Sequence, residues 1–301
     1  MAGVMSTNPW ARKPWAEGSN PTKLGAMHWP VGDWAMGAQM TNAAERIRWT
    51  AAGVPVAGPR VLPEETPIAL VHDGSTTAVM MATPGDLEDF GVGFSLSEGI
   101  VRAADEIRDL EISTSDLGVE VRLWLTAERT HELAARRRRL AGPTGCGLCG
   151  LESLEEVRRL LPPIADGLTV RPEELLEAMA SLEAAQTMGK LTHAVHAAAL
   201  WRRGGAVVLR EDVGRHNALD KLVGAVARAG AAGTGVLALT SRVSIEMIQK
   251  AAVLGEPIVC AMSAPTGLAV RMADAAGLTL VGIARADGFE VFTHPERVRL
   301  S

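Results

Sequence analysis

Cys146 and Cys149 stand two residues apart in "GPTGCGLCGLESLEE", with glycine on both sides of each. Two thiols at this spacing can grip a metal, cycle as a disulfide or carry a sulfur atom. A tetrahedral zinc site needs four ligands and the pair supplies two. His193 and His196 in "LTHAVH" could complete the set, although their spacing is shorter than the usual one. A thioredoxin-like dithiol sits at a strand-to-helix junction, whereas here the preceding stretch reads as a helix. The glycines predict a mobile loop, which suits a thiol that travels between two partners. Four arginines at 136–139 lie just upstream; they are either a solvated helix face or a positive environment that lowers a thiol pKa and attracts an anion.

A second concentration of chemistry is "EDVGRHNALDK", with Asp212, Arg215, His216, Asn217, Asp220 and Lys221 at one strand-to-helix turn. His216 and Asp220 are four apart, a spacing compatible with an acid/base pair. Asn217 as a helix cap explains part of the cluster equally well. Beyond it come Ser241 and Arg242, then Ser263 and Thr266, then Arg285 and Asp287, each after an apolar run. Ligands of open α/β sheets bind beyond the carboxyl ends of the strands. Arginines and helix starts gathered there would suit a phosphate-bearing ligand; ordinary loop charges are the alternative. Neither a GxxxxGK[ST] nor a GxGxxG motif is present.

The elements that must position these residues are legible in part. "TPIALVHDGSTTAVMMATP" reads as two strands turned by Asp73-Gly74, with structure beginning near Leu62. A helix follows, ended by Gly99, then a second strand pair and a basic-ended helix. Ser153 and Glu156 have capping-box spacing, predicting a helix from Leu154. "RPEELLEAMASLEAAQ" and "THAVHAAALWRRGG" read as further helices. From Ala206 strands and helices alternate, which predicts an α/β fold with a mixed, mostly parallel sheet between helices. A smaller N-terminal α+β subdomain precedes it. The expected division is a disordered extension over 1–40 (or a stretch upstream of a start at Met40), the subdomain over 41–140, the CxxC loop over 141–153 and the α/β domain over 154–301.

Composition sets limits. The net charge of −5 argues against a general nucleic-acid binder. Aromatic residues make up 4 % with no tyrosine, which leaves little for base stacking. Three cysteines are too few for a disulfide scaffold, and Cys260 in "PIVCAMSAP" reads as inert core. No apolar run reaches the roughly 18–20 residues that span a bilayer, and no secretory h-region is evident. The expectation is a cytoplasmic protein with no nucleic-acid or membrane partner.

Several segments in order, "LPEETPIALVHDGSTTAVMMATPGDLEDFGVGFSLSEGIV", "TGCGLCGLESLEE", "HAAAL", "EDVGRHNALDK", "SRVSIEMIQKAA", "SAPTGLAV" and "AGLTLVGIARADGFEVFTHPER", resemble the formate dehydrogenase accessory sulfurtransferase family, FdhD. The resemblance covers about residues 45–298. It implies a cytidine deaminase-like fold, dimers, and a sulfur-carrier role. Sulfur would pass from a cysteine desulfurase, as a persulfide on Cys146 with Cys149 supporting, to the molybdenum cofactor bis-molybdopterin guanine dinucleotide. That cofactor is cargo for formate dehydrogenase, and no tightly bound metal is expected. Its contacts would fall on Ile283, Ala284, Arg285, Ala286, Asp287 and Gly288. The family usually has an aromatic residue and Arg-Gly where this chain has Ile283 and Arg285-Ala286. The zinc deaminase signature is absent. Two other classes compete: a non-catalytic cofactor chaperone whose CxxC is structural or binds zinc, and a dithiol oxidoreductase.

Overall fold

Alternating side chains and turn chemistry explain most of the architecture of the computed structural model. It describes residues 39–51, 53, 55–140, 161, 164, 167–230 and 234–300. The expectations for residues 1–38, for Cys146 and Cys149, for the helix from Leu154 and for the side chains of the arginines at 136–139 lie outside the described residues.

Strands β1 (Thr41–Arg48) and β2 (Val56–Pro63) form a two-stranded antiparallel hairpin, so ordered structure starts well before Leu62. A four-stranded sheet follows in the order β4-β3-β6-β5, built from β3 (Thr66–His72), β4 (Ser75–Ala82), β5 (Ile107–Ser115) and β6 (Gly118–Leu125). Asp73 and Gly74 take φ of 49° and 74° at its tight turn, the left-handed pair that matches strand twist. Helix α1 (Leu87–Ser97) covers one face with Phe90 and Phe94, against Ile68, Leu70, Val121 and Leu123. Gly99, at φ 65°, follows its C-cap Glu98 and stops it as the sequence predicts. Helix α2 (Ala127–Leu140) comes next.

The second sheet has six strands in the order β12-β11-β10-β9-β7-β8: β7 (His196–Arg202), β8 (Ala206–Asp212), β9 (Val236–Leu239), β10 (Ile258–Ala261), β11 (Thr279–Arg285) and β12 (Gly288–Thr293). Only β9–β10 and β10–β11 pair in parallel; the other three neighbouring pairs are antiparallel. The sheet is therefore mixed, and the mostly parallel expectation is corrected. The reason lies in "THAVHAAALWRRGG". Only its first residue is helical, the last of the short helix α4 (Met188–Thr192), and His196–Arg202 form β7, not a helix. Alanine favours helices, but Ala197, Ala199 and Trp201 face one core while Ala198 and Leu200 face the other. Burial on both faces of a sheet overrides propensity. β12, in a segment with no clear period-2 apolar pattern, adds the other antiparallel edge.

Helix α3 (Pro172–Ala185) packs one face of this sheet through Leu175, Ala178, Met179 and Leu182. Helices α5 (Arg215–Arg228), α6 (Ile245–Leu254) and α7 (Gly267–Ala275) cover the other. Helix α5 also meets α1 backbone to backbone. A Cβ on Gly93 would overlap the carbonyl oxygen of Asp220, and one on Gly224 the carbonyl oxygen of Asp89. These two glycines let the helices of the two sheets lie in direct contact. Among the described residues, no helix is long and apolar enough to cross a membrane.

Candidate functional site

Strands β8, β9, β10 and β11 run in one direction and end at one edge of the six-stranded sheet. Because β7 is antiparallel, its start brings His196 to the same edge, opposite Asp212. The loops that leave β9, β10 and β11 are stitched together. Thr266 N donates to Val243 O at 2.9 Å, Val243 N to Ala264 O at 3.4 Å, and Ile283 N to Ser263 O at 3.3 Å. Helices α5, α6 and α7 all begin here, after Gly214, Ser244 and Thr266. Their first-turn N–H groups lack intrahelical acceptors and favour anions. Thr266 Oγ1 does accept from Ala269 N at 3.3 Å.

Exposed Arg242 and Arg285 flank this rim and make no ion pair among the described residues. Half-buried Arg215 and His216 occupy the first turn of α5, and each keeps an enclosed nitrogen, Nε and Nε2, without a hydrogen-bond partner. Burial, reinforced by Arg215, holds the imidazoles of both His196 and His216 below the usual histidine range. Both are neutral near pH 7.

Much of "EDVGRHNALDK" is structural. Asp212, fully buried, accepts from Thr83 N (3.0 Å), Gly214 N (2.8 Å) and Asn217 Nδ2 (3.0 Å), and pairs with Lys221 Nζ at 2.6 Å. Lys221, also fully buried, donates to Thr83 O at 2.8 Å. Asn217 lies inside α5, where its amide also donates to Met81 O at 2.8 Å; the cap position belongs to Gly214. Glu211 accepts from the backbone N–H of Thr187, Met188 and Gly189 and so caps α4. Asp220 is not His216's partner: Lys250 Nζ takes both of its oxygens, at 2.8 and 3.0 Å, and reaches Glu98 at 3.2 Å. Although burial acts against its charge, Asp220 and Glu98 hold Lys250 protonated with a raised pKa.

The segment from Ile283 to Gly288 closes the rim. Ile283 sits on a β-bulge with φ 53°, in the left-handed region that a β-branched residue rarely enters. A Cβ on Gly282 beside it would crowd Pro265, Phe292 and the Ser263 carbonyl at 3.0–3.2 Å. Ile283, Arg285, Ala286 and Asp287 are exposed, with Ala286–Asp287 in the turn and Gly288 opening β12. Ala284 is 1 % exposed and packs in the core, so its side chain cannot face a ligand. His193 ends α4 at φ 55°, exposed, and His196 starts β7. Cys260 lies in the core, where burial pushes its thiol up to about 12.

The chain is 49 % identical over 251 residues to the sulfur carrier protein FdhD of Agrobacterium fabrum, covering 82 % of this chain and 93 % of that one. It is 51 % identical over 242 residues to that of Brucella abortus, covering 79 % and 90 %. A crystal structure of a putative formate dehydrogenase accessory protein from Desulfotalea psychrophila superposes with a TM-score of 0.67 at 26 % identity, over 86 % of this chain and all of that one. The FdhD/NarQ family model matches residues 63–299, and the chain belongs to that family.

Proposed function

We propose that this chain is a cytoplasmic sulfurtransferase of the carrier type that serves formate dehydrogenase. Cys146 accepts sulfur from a cysteine desulfurase. Its thiolate attacks the terminal sulfur of the donor's cysteine persulfide, a new S–S bond forms on Cys146, and the donor's cysteine leaves as a thiolate. Cys149 supports the loaded thiol. The acceptor is bis-molybdopterin guanine dinucleotide, the molybdenum cofactor, held as cargo at the carboxyl rim of the six-stranded sheet.

The observation that supports this reading is the rim itself. Arg242 and Arg285 stand at the ends of β9 and β11 without acidic partners among the described residues, beside the N-termini of α6 and α7. Phosphates need such a combination of forked donors and free N–H groups. The names carried by the relatives supply the sulfur chemistry. Calorimetric titration with guanosine diphosphate, the phosphate-rich fragment of the cofactor, tests the rim. Binding by the wild type that weakens at least tenfold in Arg285→Ala is expected. Equal binding by both would remove the rim from the account.

A further inference from the structure

The half of the rim formed by α5 and α6 differs from the arginine half, and phosphate binding alone gives it no role. Both helices leave the same edge of the sheet and pack side by side. Lys250 Nζ of α6 holds both oxygens of Asp220 of α5, at 2.8 and 3.0 Å, and so fixes their register. Residues four apart share a helix face. One turn nearer the rim, Glu246 therefore stands opposite His216, with Arg215 just before it. All three are half-buried. Ser244 Oγ donates to Glu246 Oε2 at 2.6 Å, and no ion pair among the described residues engages this carboxylate. Although burial acts against its charge, the Ser244 hydroxyl, its own backbone N–H and the charge of Arg215 hold Glu246 below the usual carboxylate range. It is ionised at pH 7 and only accepts. A carboxylate has about four acceptor sites, so Glu246 has room for two more donors.

Charge separates the two halves. A carboxylate repels phosphate, so the phosphates of a ligand are left to Arg242 and Arg285, and Glu246 suits an uncharged group that donates N–H. Beside it, Arg215 Nε and His216 Nε2 are enclosed without a hydrogen-bond partner among the described residues, and unsatisfied groups of this kind mark a place where a further polar group belongs. Strand spacing sets the length of the ligand. β7, which His196 starts, is three strands from β11, which carries Arg285, or about 14 Å at the usual strand spacing. An extended nucleoside diphosphate reaches this far from its terminal phosphate to its base. Among the common nucleobases, only guanine presents two adjacent N–H donors, N1–H and the 2-amino group, to one carboxylate, with O6 beside them for an arginine. The geometry points to Glu246 as the residue that selects guanine: its carboxylate accepts from N1–H and the 2-amino group, Arg215 donates to O6, and the diphosphate lies on Arg242 and Arg285. This rests on the reading above that places a guanine nucleotide at the rim.

The test titrates the full chain calorimetrically with the diphosphates of guanosine, inosine and adenosine and with pyrophosphate. Inosine diphosphate lacks the 2-amino group, and adenosine diphosphate lacks both it and N1–H. The wild type is compared with Glu246→Gln, which keeps the length of the side chain and a carbonyl for Ser244; melting curves verify its fold. The wild type is expected to bind guanosine diphosphate at least tenfold more tightly than adenosine diphosphate, with inosine diphosphate between them, as a good two-bond contact to a base allows. Glu246→Gln should lose that preference and bind pyrophosphate no less tightly than the wild type. Equal binding of the guanosine and adenosine diphosphates by the wild type overturns the assignment and leaves the phosphate rim standing, a comparison that needs no variant. A preference retained in Glu246→Gln overturns it too, as does an equal fall for all four ligands. A wild type that binds neither guanosine diphosphate nor pyrophosphate would instead remove the rim reading itself.

Discussion

Replacing Lys221 with methionine keeps the length of the side chain and removes its charge. The ammonium group is fully buried, 2.6 Å from Asp212 and 2.8 Å from the Thr83 carbonyl, with the Phe90 ring centroid 5.9 Å away. Without it Asp212 remains buried as an uncompensated anion. Removing one partner of a buried pair costs about 3–5 kcal/mol. Three N–H donors, from Thr83, Gly214 and Asn217, stay on the carboxylate, which places the expected loss near the lower end, about 3 kcal/mol. For a chain of this size that corresponds to a melting temperature lower by roughly 6–12 °C. Urea unfolding should show a lower midpoint at unchanged slope. Adding Asp212→Asn removes the stranded charge, so the double variant should be more stable than Lys221→Met alone by about 1 kcal/mol or more. A single variant within about 1 kcal/mol of the wild type would refute the reasoning. It would mean that this pair does not fasten the first turn of α5, which carries Arg215 and His216, to the N-terminal sheet.

Gly93→Ala or Gly224→Ala should destabilise by at least ~3 kcal/mol, because the added methyl meets backbone that cannot step aside; a soluble variant with wild-type melting would contradict the α1–α5 packing. Glu174 accepts from Arg203 Nε at 2.6 Å and from Arg171 N at 2.9 Å, and these bonds lower its pKa to about 2. Its stabilisation is therefore present above pH 4.5 and lost as the pH falls toward 2, whereas Glu174→Gln should melt lower at pH 7 and lose less on acidification. His196 and His216, with depressed pKa values, add stability that is full above the ordinary histidine range and falls below it. A melting temperature independent of pH between 7 and 5 in the wild type would contradict their burial as neutral groups.

Local signals in the chain were read correctly where the physics is local. Asp73-Gly74 specifies its turn through left-handed backbone, Gly99 stops α1, and "RPEELLEAMASLEAAQ" forms α3. The misreading of β7 was not local: five alanine and apolar residues become a strand because neighbours on both sides and both faces bury them. The β1–β2 hairpin lacks a sustained apolar alternation, so nothing in its residues announced it. At the site, the strand-end arginines were legible because topology carries them to one edge. The partners of Asp212 and Asp220 were not, since Thr83 and Lys250 lie 129 and 30 residues away in the chain. Spacing suggested a His216–Asp220 pair, but burial gave Asp220 to the lysine that could neutralise it.

The central claim is that Cys146 carries sulfur. Intact-mass spectrometry after incubation with a cysteine desulfurase and cysteine tests it most directly, with Cys146→Ala alongside the wild type. The account predicts a gain of one sulfur atom on the wild type, removed by dithiothreitol and absent from Cys146→Ala. An unmodified wild type, or equal gains on both proteins, would contradict it.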